Sequence, residues 1–245
     1  MNTELIIALI SAAVAIASAI LSIWGQMKSA RLAVELEDLR AAENRRLERE
    51  KSVARYREPL GRAAYDLQSR LYNIIQQKFI KVYLDNGSER ERTYAINNTV
   101  FLAAQYFAWT EIIRRDIQFL DLGADDKTRE LARLQDRIYS LWQTDGYGPL
   151  FRVFAGEQRA LGERMICDSA RGPDSMGYAA FLEQTRQIPD LLLNALKTDV
   201  QDLSSRLPEA RVRLITIQNA LIDLLDFLDP NFIRFPKERR TKIAN

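Results

Sequence analysis

The stretch Leu5–Trp24, LIIALISAAVAIASAILSIW, decides how the rest of the chain is interpreted, because its twenty residues include no charge, proline or glycine. Ten of these positions are Leu, Ile or Val. An α-helix rises about 1.5 Å per residue, so the stretch matches the roughly 30 Å of hydrocarbon in a bilayer. It predicts a transmembrane anchor over residues 1–24.

Two other interpretations of this apolar stretch fit the sequence less well. A cleaved signal peptide carries Lys or Arg before its apolar core, whereas Glu4 is the charged side chain that precedes this one. A core helix of a soluble protein usually has a shorter apolar run, of about 10–14 residues. A membrane span is the preferred interpretation.

The charges that flank the span predict its orientation. Lys28, Arg31 and Arg40 follow the apolar stretch, and no Lys or Arg precedes it. Positively charged residues close to a span remain on the cytoplasmic side, and acidic residues contribute little to this rule. We therefore expect a single-pass protein of the inner (plasma) membrane, with its N-terminus outside and its body in the cytoplasm.

Small residues recur along one side of the predicted span, at steps of three and four residues. Such residues allow two helices to approach closely in lipid, and Ser can also donate a hydrogen bond across the contact. The pattern favours self-association, although Ala and Ser are also tolerated in any span with enough Ile and Leu. The candidate oligomerisation face consists of Ala8, Ser11, Ala12, Ala15, Ser18, Ala19 and Ser22.

An oligomer of such helices could also enclose a pore. In this alternative, Ser11, Ser18 and Ser22 line the lumen, and Glu4 forms a ring at the outer mouth. The cytoplasmic part of the chain would then gate the pore or sense a ligand.

Residues 25–58 are rich in charge and contain no proline. Leu32, Leu36 and Leu39 keep a spacing of four and three residues, after which the apolar positions stop. The pattern predicts a stalk helix that leaves the membrane, either as a short coiled coil or as an isolated charged helix. Pro59 fits the first turn of a new helix better than the interior of an old one, so we expect the stalk to end just before it.

Residues 59–236 show apolar positions with helical spacing between turn signals, and Gly and Pro are scarce. They predict a cytoplasmic bundle of about six or seven helices, which gives the whole chain an all-α fold class. The apolar stretch from Val100 to Trp109 is expected to be the buried centre of one helix. Another helix is expected from Leu150 to about Cys167, followed by a loop over residues 169–177.

Two further expectations concern the remainder of the chain. Pro208 lies inside an otherwise helical stretch and is expected to divide it into two helices. Residues 237–245 are polar and basic, and we expect them to form a mobile tail.

The composition excludes several kinds of chemistry. The chain of 245 residues contains no histidine and one cysteine, Cys167. Catalytic triads, Cys–His pairs, histidine-containing metal sites and an internal disulfide are therefore excluded. No glycine-rich phosphate loop is present, and a net charge of +2 disfavours a nucleic-acid binder. We expect no catalytic residue, no metal site and no cofactor.

Several charged residues lie where the helical pattern predicts core or its margin. Charges beside a dense apolar core must be paired, because an unpaired buried charge is strongly unfavourable. They form either surface pairs, a satisfied structural network, or a pocket whose Arg side chains bind an anionic ligand such as a nucleotide. The candidate residues are Arg70, Glu111, Arg114, Arg115, Glu157 and Arg159.

Together these patterns predict a non-enzymatic single-pass membrane protein whose body is an interaction or sensor module at the inner face of the membrane. Its expected partners are the lipid bilayer, further copies of the same chain and a protein that the sequence does not identify. The pore and a membrane-tethered sensor of an anionic ligand are the two alternatives.

Overall fold

The computed structural model describes residues 3–116, 125–170, 172–187 and 190–244. The described residues are 81% helical, which confirms the all-α class. It divides into two compact units, Met1–Glu50 and Lys51–Asn245.

Six α-helices account for most of the described residues, together with one β-hairpin and two short helical turns of other types. The helices are α1 Thr3–Gln76, α2 Glu89–Asp116, α3 Asp125–Gln143, α4 Ala155–Met165, α5 Tyr178–Gln187 and α6 Leu191–Leu228. The remaining elements are a π-helix, Ile80–Asp85, the strands β1 Ile166–Ser169 and β2 Gly172–Ser175, and a 3-10 helix, Lys237–Arg239.

The unit Met1–Glu50 consists of the first part of α1. Within the described residues, one helix is long and apolar enough to cross a membrane, and the qualifying region is Leu9–Asn44. Leu32, Leu36 and Leu39 of the predicted stalk are exposed within this unit. Whether they form a coiled coil stays a prediction.

Helix α1 continues through Pro59, so the predicted helix boundary at this residue is wrong. A proline inside a helix removes one backbone hydrogen bond and costs about 3 kcal/mol or more. Leu60, Ala64 and Leu67, which follow it, are at most 1% exposed. Burial of a Leu side chain contributes about 1.5–3 kcal/mol, so packing of this face offsets the cost of the proline. The separate assignment of residues 25–58 and 59–236 to different domains stays a prediction.

The core of the unit Lys51–Asn245 surrounds the middle of α2. The stretch from Val100 to Trp109 is buried at every apolar position, as its sequence predicts. Helix α2 packs mainly against α4, and α3 packs against α6. At the α2–α4 crossing, a Cβ placed on Gly162 would lie 2.6 Å from the Phe107 carbonyl oxygen, so the two helices approach too closely for a side chain there.

Helix α6 contains Pro208 and bends where the sequence predicts two helices. Arg206 leaves helical geometry, with φ −118° and ψ 16°, although the helical hydrogen bonding resumes beyond it. Its guanidinium pairs with Asp202 and Glu209, each at 2.8 Å, one on either side of the bend. The break at Arg206 therefore separates two helical segments within Leu191–Leu228, as the sequence predicts.

A β-hairpin replaces the end of the helix predicted to reach Cys167 and part of the loop predicted over residues 169–177. Helix α4 ends at Met165, and β1 pairs antiparallel with β2, with Cys167 opposite Asp174. Gly172 begins β2 with φ +99°, a conformation that favours glycine. The Met176 amide also donates to the Met165 carbonyl at 2.8 Å, which closes the open end of the hairpin.

The segment 237–244 contacts α6 through Arg240 and Ile243, a contact that the prediction of a mobile tail over residues 237–245 did not include. Arg240 is 7% exposed and donates to the Phe235 carbonyl at 2.7 Å and to the Asp229 carboxylate. Ile243 is buried, and its backbone exchanges two hydrogen bonds of 2.9 Å with the Asn219 amide side chain. A basic segment is held in place because its cation and backbone groups find buried partners.

The α2–α4 crossing generates a stability prediction. Gly162→Ala should lower the free energy of unfolding by about 1–3 kcal/mol, because the new methyl group overlaps the Phe107 backbone. Urea denaturation of the full chain in detergent, monitored by circular dichroism, measures the change in the free energy of unfolding.

The matched control is Gly156→Ala in the same helix, where a Cβ meets nothing within 4 Å. This variant should be neutral or slightly stabilising, because alanine has the higher helix propensity. Equal unfolding midpoints for the two variants would contradict the proposed close approach.

Candidate functional site

A charged network joins α2 to α4 around the buried carboxylate of Glu111, whose side chain is 3% exposed. Arg114 donates to it from Nε and Nη2, both at 2.7 Å, and Arg115 donates from Nε at 2.7 Å. Arg115 Nη2 also donates to Glu163 on α4 at 2.8 Å. The structure therefore brings together three of the predicted residues and adds Glu163.

The electrostatics of this network keep Glu111 ionised. Burial by itself raises the pKa of the Glu111 carboxyl, but the hydrogen bonds and charges of Arg114 and Arg115 outweigh it and hold the pKa below its ordinary value. The same contacts raise the pKa of both arginines. The carboxylate therefore stays charged and holds Arg114 and Arg115 against α2, while Arg115 also reaches Glu163 on α4 at the exposed edge of the network.

A cavity of about 230 Å³ lies beside the network, between α2, α3 and α4. Arg159, another of the predicted residues, lines this cavity together with Glu111 and Arg114. The buried Tyr106 hydroxyl and the Gln135 side-chain nitrogen also belong to its wall and have no hydrogen-bond partner within the described part of the chain. The wall of the cavity carries both carboxylates and guanidinium groups, since Asp136 adds a second carboxylate to that of Glu111.

The other two predicted residues lie in different places. Glu157 accepts a hydrogen bond of 2.9 Å from the Phe154 amide at the start of α4, which makes it a helix cap. Arg70, on α1, donates to Asn98 at 2.7 Å and to the Tyr94 hydroxyl at 3.3 Å. The six residues therefore form no single pocket.

The surroundings of Arg70 are neutral. The residue is 7% exposed, and its guanidinium lies 4.1 Å from the centre of the Phe79 ring. Burial lowers the pKa of the guanidinium, an effect that the Tyr94 phenol partly offsets. Its acceptors are Thr99, Tyr94 and Asn98, and no carboxylate is among the contacts described for it.

A second cavity, of about 240 Å³, opens next to Arg70 between α2, α5 and α6. Arg90 from α2, Arg186 from α5 and Lys197 from α6 contribute its charged side chains. The sequence analysis missed this basic pocket, because its cations come from helices far apart in the chain and belong to no local motif. The lining residues of α2 are three and four positions apart and therefore share one face of the helix: Arg90, Thr93, Tyr94 and Asn97. This spacing is the signal that the sequence offers for the pocket.

Sequence reasoning also missed Arg213, the most deeply buried cation of the body. It is 0% exposed and donates to four backbone carbonyls, those of Leu141, Trp142, Thr144 and Gly148, at 2.8–3.0 Å. Its role is to fasten the loop after α3 to α6. An Arg between Val212 and Leu214 in the apolar part of α6 was the available signal.

Within the described residues, no group of three or more His, Cys, Asp or Glu side chains is arranged to hold a metal ion. No family model, no curated protein and no solved structure matches this chain. The function is therefore inferred from the geometry of the chain itself.

The Glu111 network generates a pH-dependent stability prediction. A carboxyl whose pKa is depressed in the folded state contributes stability above its unfolded pKa, about 4.3, and loses that contribution as the pH falls through the folded value. Glu111→Gln should therefore lower the free energy of unfolding by about 1–3 kcal/mol at pH 7, because two arginines lose their charged acceptor. The difference from the unmodified chain should shrink below about pH 4.

Urea titrations at several pH values between 3 and 7 measure this effect. The control is Glu163→Gln, which removes a carboxylate that is 53% exposed and should stay close to the unmodified chain. A loss in Glu111→Gln that is independent of pH would show that the depressed pKa is not its cause.

Proposed function

We propose that this chain is a non-enzymatic single-pass membrane protein. In this proposal, Leu5–Trp24 is the anchor and the body over residues 59–236 is a helical interaction or sensor module at the cytoplasmic face. The observation that carries the proposal is the exposure of the apolar side chains in the unit Met1–Glu50.

The described Ile, Leu, Val and Trp side chains between Ile7 and Trp24 are each 57–68% exposed. Apolar surface in contact with water costs about 25 cal/mol per Å², so an isolated helix of this composition is unfavourable in solution. A bilayer covers such a helix on all sides, and the helix satisfies its own backbone hydrogen bonds. Lipid is therefore the environment that suits this segment best.

Charges at one end of the anchor support a cytoplasmic body. The Lys28 ammonium lies 5.6 Å from the centre of the Trp24 ring, and Arg31 and Arg40 follow along the helix. An indole with adjacent cations is typical of a membrane–water interface, and cations remain preferentially on the cytoplasmic side. In this orientation the body lies at the inner (plasma) membrane surface.

The spacing of the small residues along one face of the helix supports a homo-oligomer. Ser11, Ala12, Ala15, Ser18, Ala19 and Ser22 are all exposed in the single chain. The side chain of Ala8, the remaining member of this face, lies outside the described set. A face of small residues permits close helix contacts in lipid, and we propose a second copy of the chain as its partner.

The anchor and its orientation are tested with the natural cysteine. In a bacterial host, the chain should remain in membranes washed with alkaline carbonate. Cys167, which is exposed on β1, should react with a membrane-impermeant maleimide in inverted vesicles and be protected in intact spheroplasts. Burial and the neighbouring Asp174 and Asp168 carboxylates raise the pKa of this thiol, so the reaction should speed up as the pH is raised above 7.

Two sets of variants control this experiment. Ile16→Arg combined with Ile20→Arg should move the chain to the aqueous fraction, because each central Arg costs about 2.5–3.5 kcal/mol on insertion, whereas the corresponding Leu pair should stay in the membrane. Cys167→Ser should abolish labelling. Recovery of the unmodified chain in the aqueous fraction contradicts the anchor, and labelling in spheroplasts contradicts the orientation.

The oligomer is tested on the small-residue face. Replacing Ala12, Ala15 and Ala19 together by Leu should reduce chemical cross-linking in detergent, since larger side chains hold the helices apart. Replacing Ala13 and Ala17, which lie off this face, by Leu is the control and should leave cross-linking unchanged. A chain that is monomeric before any substitution would contradict the proposal.

A further inference from the structure

The basic pocket between α2, α5 and α6 combines cations with hydrogen-bonding side chains. Its cations are Arg90, Arg186 and Lys197. The neutral polar groups on its wall are Thr93, Tyr94, Asn97, Tyr178 and Thr185. No carboxylate lines it among the residues that the structure describes.

These three cations have no ion-pair partner in the described part of the chain, although acidic residues occur nearby. Glu91, next to Arg90, accepts hydrogen bonds from the Ser88 amide and hydroxyl at 2.8 and 2.7 Å. Glu183, on α5, accepts from Gln187 at 2.6 Å. Glu91 also interacts electrostatically with Arg90, which helps to lower the pKa of the Glu91 carboxyl, so the positive charge of the pocket is only partly compensated.

Arg70 adds a fourth cation directly behind the pocket wall. It donates to the hydroxyl of Tyr94, and the side chain of Tyr94 lines the pocket. Arg70 is buried, and its described acceptors are neutral groups. Burial lowers the pKa of both Arg70 and Lys197, because their charged forms are partly removed from water. An anion at this position would stabilise all four charges.

We infer that the basic pocket binds the phosphate group of an anionic ligand. Guanidinium groups match phosphate oxygens with paired hydrogen bonds, and the ammonium group of Lys197 adds a third cationic donor. The hydroxyls of Thr93, Tyr94 and Tyr178 supply further donors to the same oxygens. The inference deepens the sensor function and rests on it for the biological role, because it names the chemical class of ligand that the body recognises.

The size of the pocket restricts how much of a ligand it holds. Sites that enclose a drug-sized molecule usually measure about 300–1,000 Å³, and this pocket is smaller, at about 240 Å³. It therefore suits a phosphate or diphosphate group, with the rest of a larger ligand outside. Both a soluble phosphate ester and the headgroup of a phospholipid present this chemistry.

The experiment uses the full chain in phosphatidylcholine nanodiscs and inorganic pyrophosphate as the probe. Calorimetric titration should show saturable binding, and the melting temperature of the body should rise with pyrophosphate concentration. Arg186→Gln and Lys197→Gln should each weaken binding about tenfold or more, because each removes a charge-assisted hydrogen bond. The matched control is Arg211→Gln on the exposed surface of α6 outside the pocket, which changes the net charge equally and should bind as the unmodified chain does.

Nanodiscs that contain phosphatidic acid distinguish the two sources of phosphate. If phosphatidic acid weakens the binding of pyrophosphate, the ligand of the pocket is a lipid headgroup. If pyrophosphate binding is unchanged, the ligand is a soluble phosphate ester. The inference is overturned if pyrophosphate does not bind, or if Arg211→Gln weakens binding as much as Arg186→Gln. Urea midpoints without ligand verify that the variants fold.

The outcome is independent of the membrane assignment. Carbonate extraction tests the anchor and does not depend on the pocket. Pyrophosphate binding tests the pocket whether or not the chain is an integral membrane protein. Failure of one therefore leaves the other in place.

Discussion

Burial of the middle of α2 is the constraint on which both polar sites of the body depend. The apolar side chains from Val100 to Trp109 are buried, and this fixes the direction and rotation of the helix. One end then presents Arg90 and Tyr94 to the basic pocket, and the other presents Arg115 to Glu163 on α4. The contact at Gly162 sets the distance at the second end, since it brings α4 against the backbone of α2. Packing of one apolar segment therefore positions a basic pocket and a network of mixed charge.

The buried cations of the body are satisfied in different ways. Arg213 is surrounded by backbone carbonyls, and Arg240 has both carbonyls and the Asp229 carboxylate. Arg70 has neutral side-chain oxygens and an aromatic ring. Transfer of a charge out of water is unfavourable unless it is paired and hydrogen-bonded. Among these three cations, Arg70 is consequently the one whose described acceptors are all neutral side-chain oxygens.

The sequence predicts the parts of this fold that depend on local periodicity. The buried centre of α2 follows from its unbroken apolar run, and Arg114 and Arg115 lie three and four residues after Glu111 on the same helix. Tertiary packing explains the features of the fold that the sequence did not predict. Pro59 stays inside α1 because the face that follows it is buried, and Arg240 is ordered because Asp229 and the Phe235 carbonyl receive it. Glu163 and the cations of the basic pocket meet through helix packing, which the spacing of residues within one helix does not specify.

The packing of segment 237–244 onto α6 has a consequence for how the body acquires its structure during synthesis. Gln218 donates to the Thr241 carbonyl at 3.0 Å, and the Asn219 side chain pairs with the Ile243 backbone. These contacts form only after the residues beyond Pro236 have been made, so α6 lacks part of its hydrogen bonding in the nascent chain. The last step in the folding of the unit Lys51–Asn245 therefore follows the synthesis of residues 237–244.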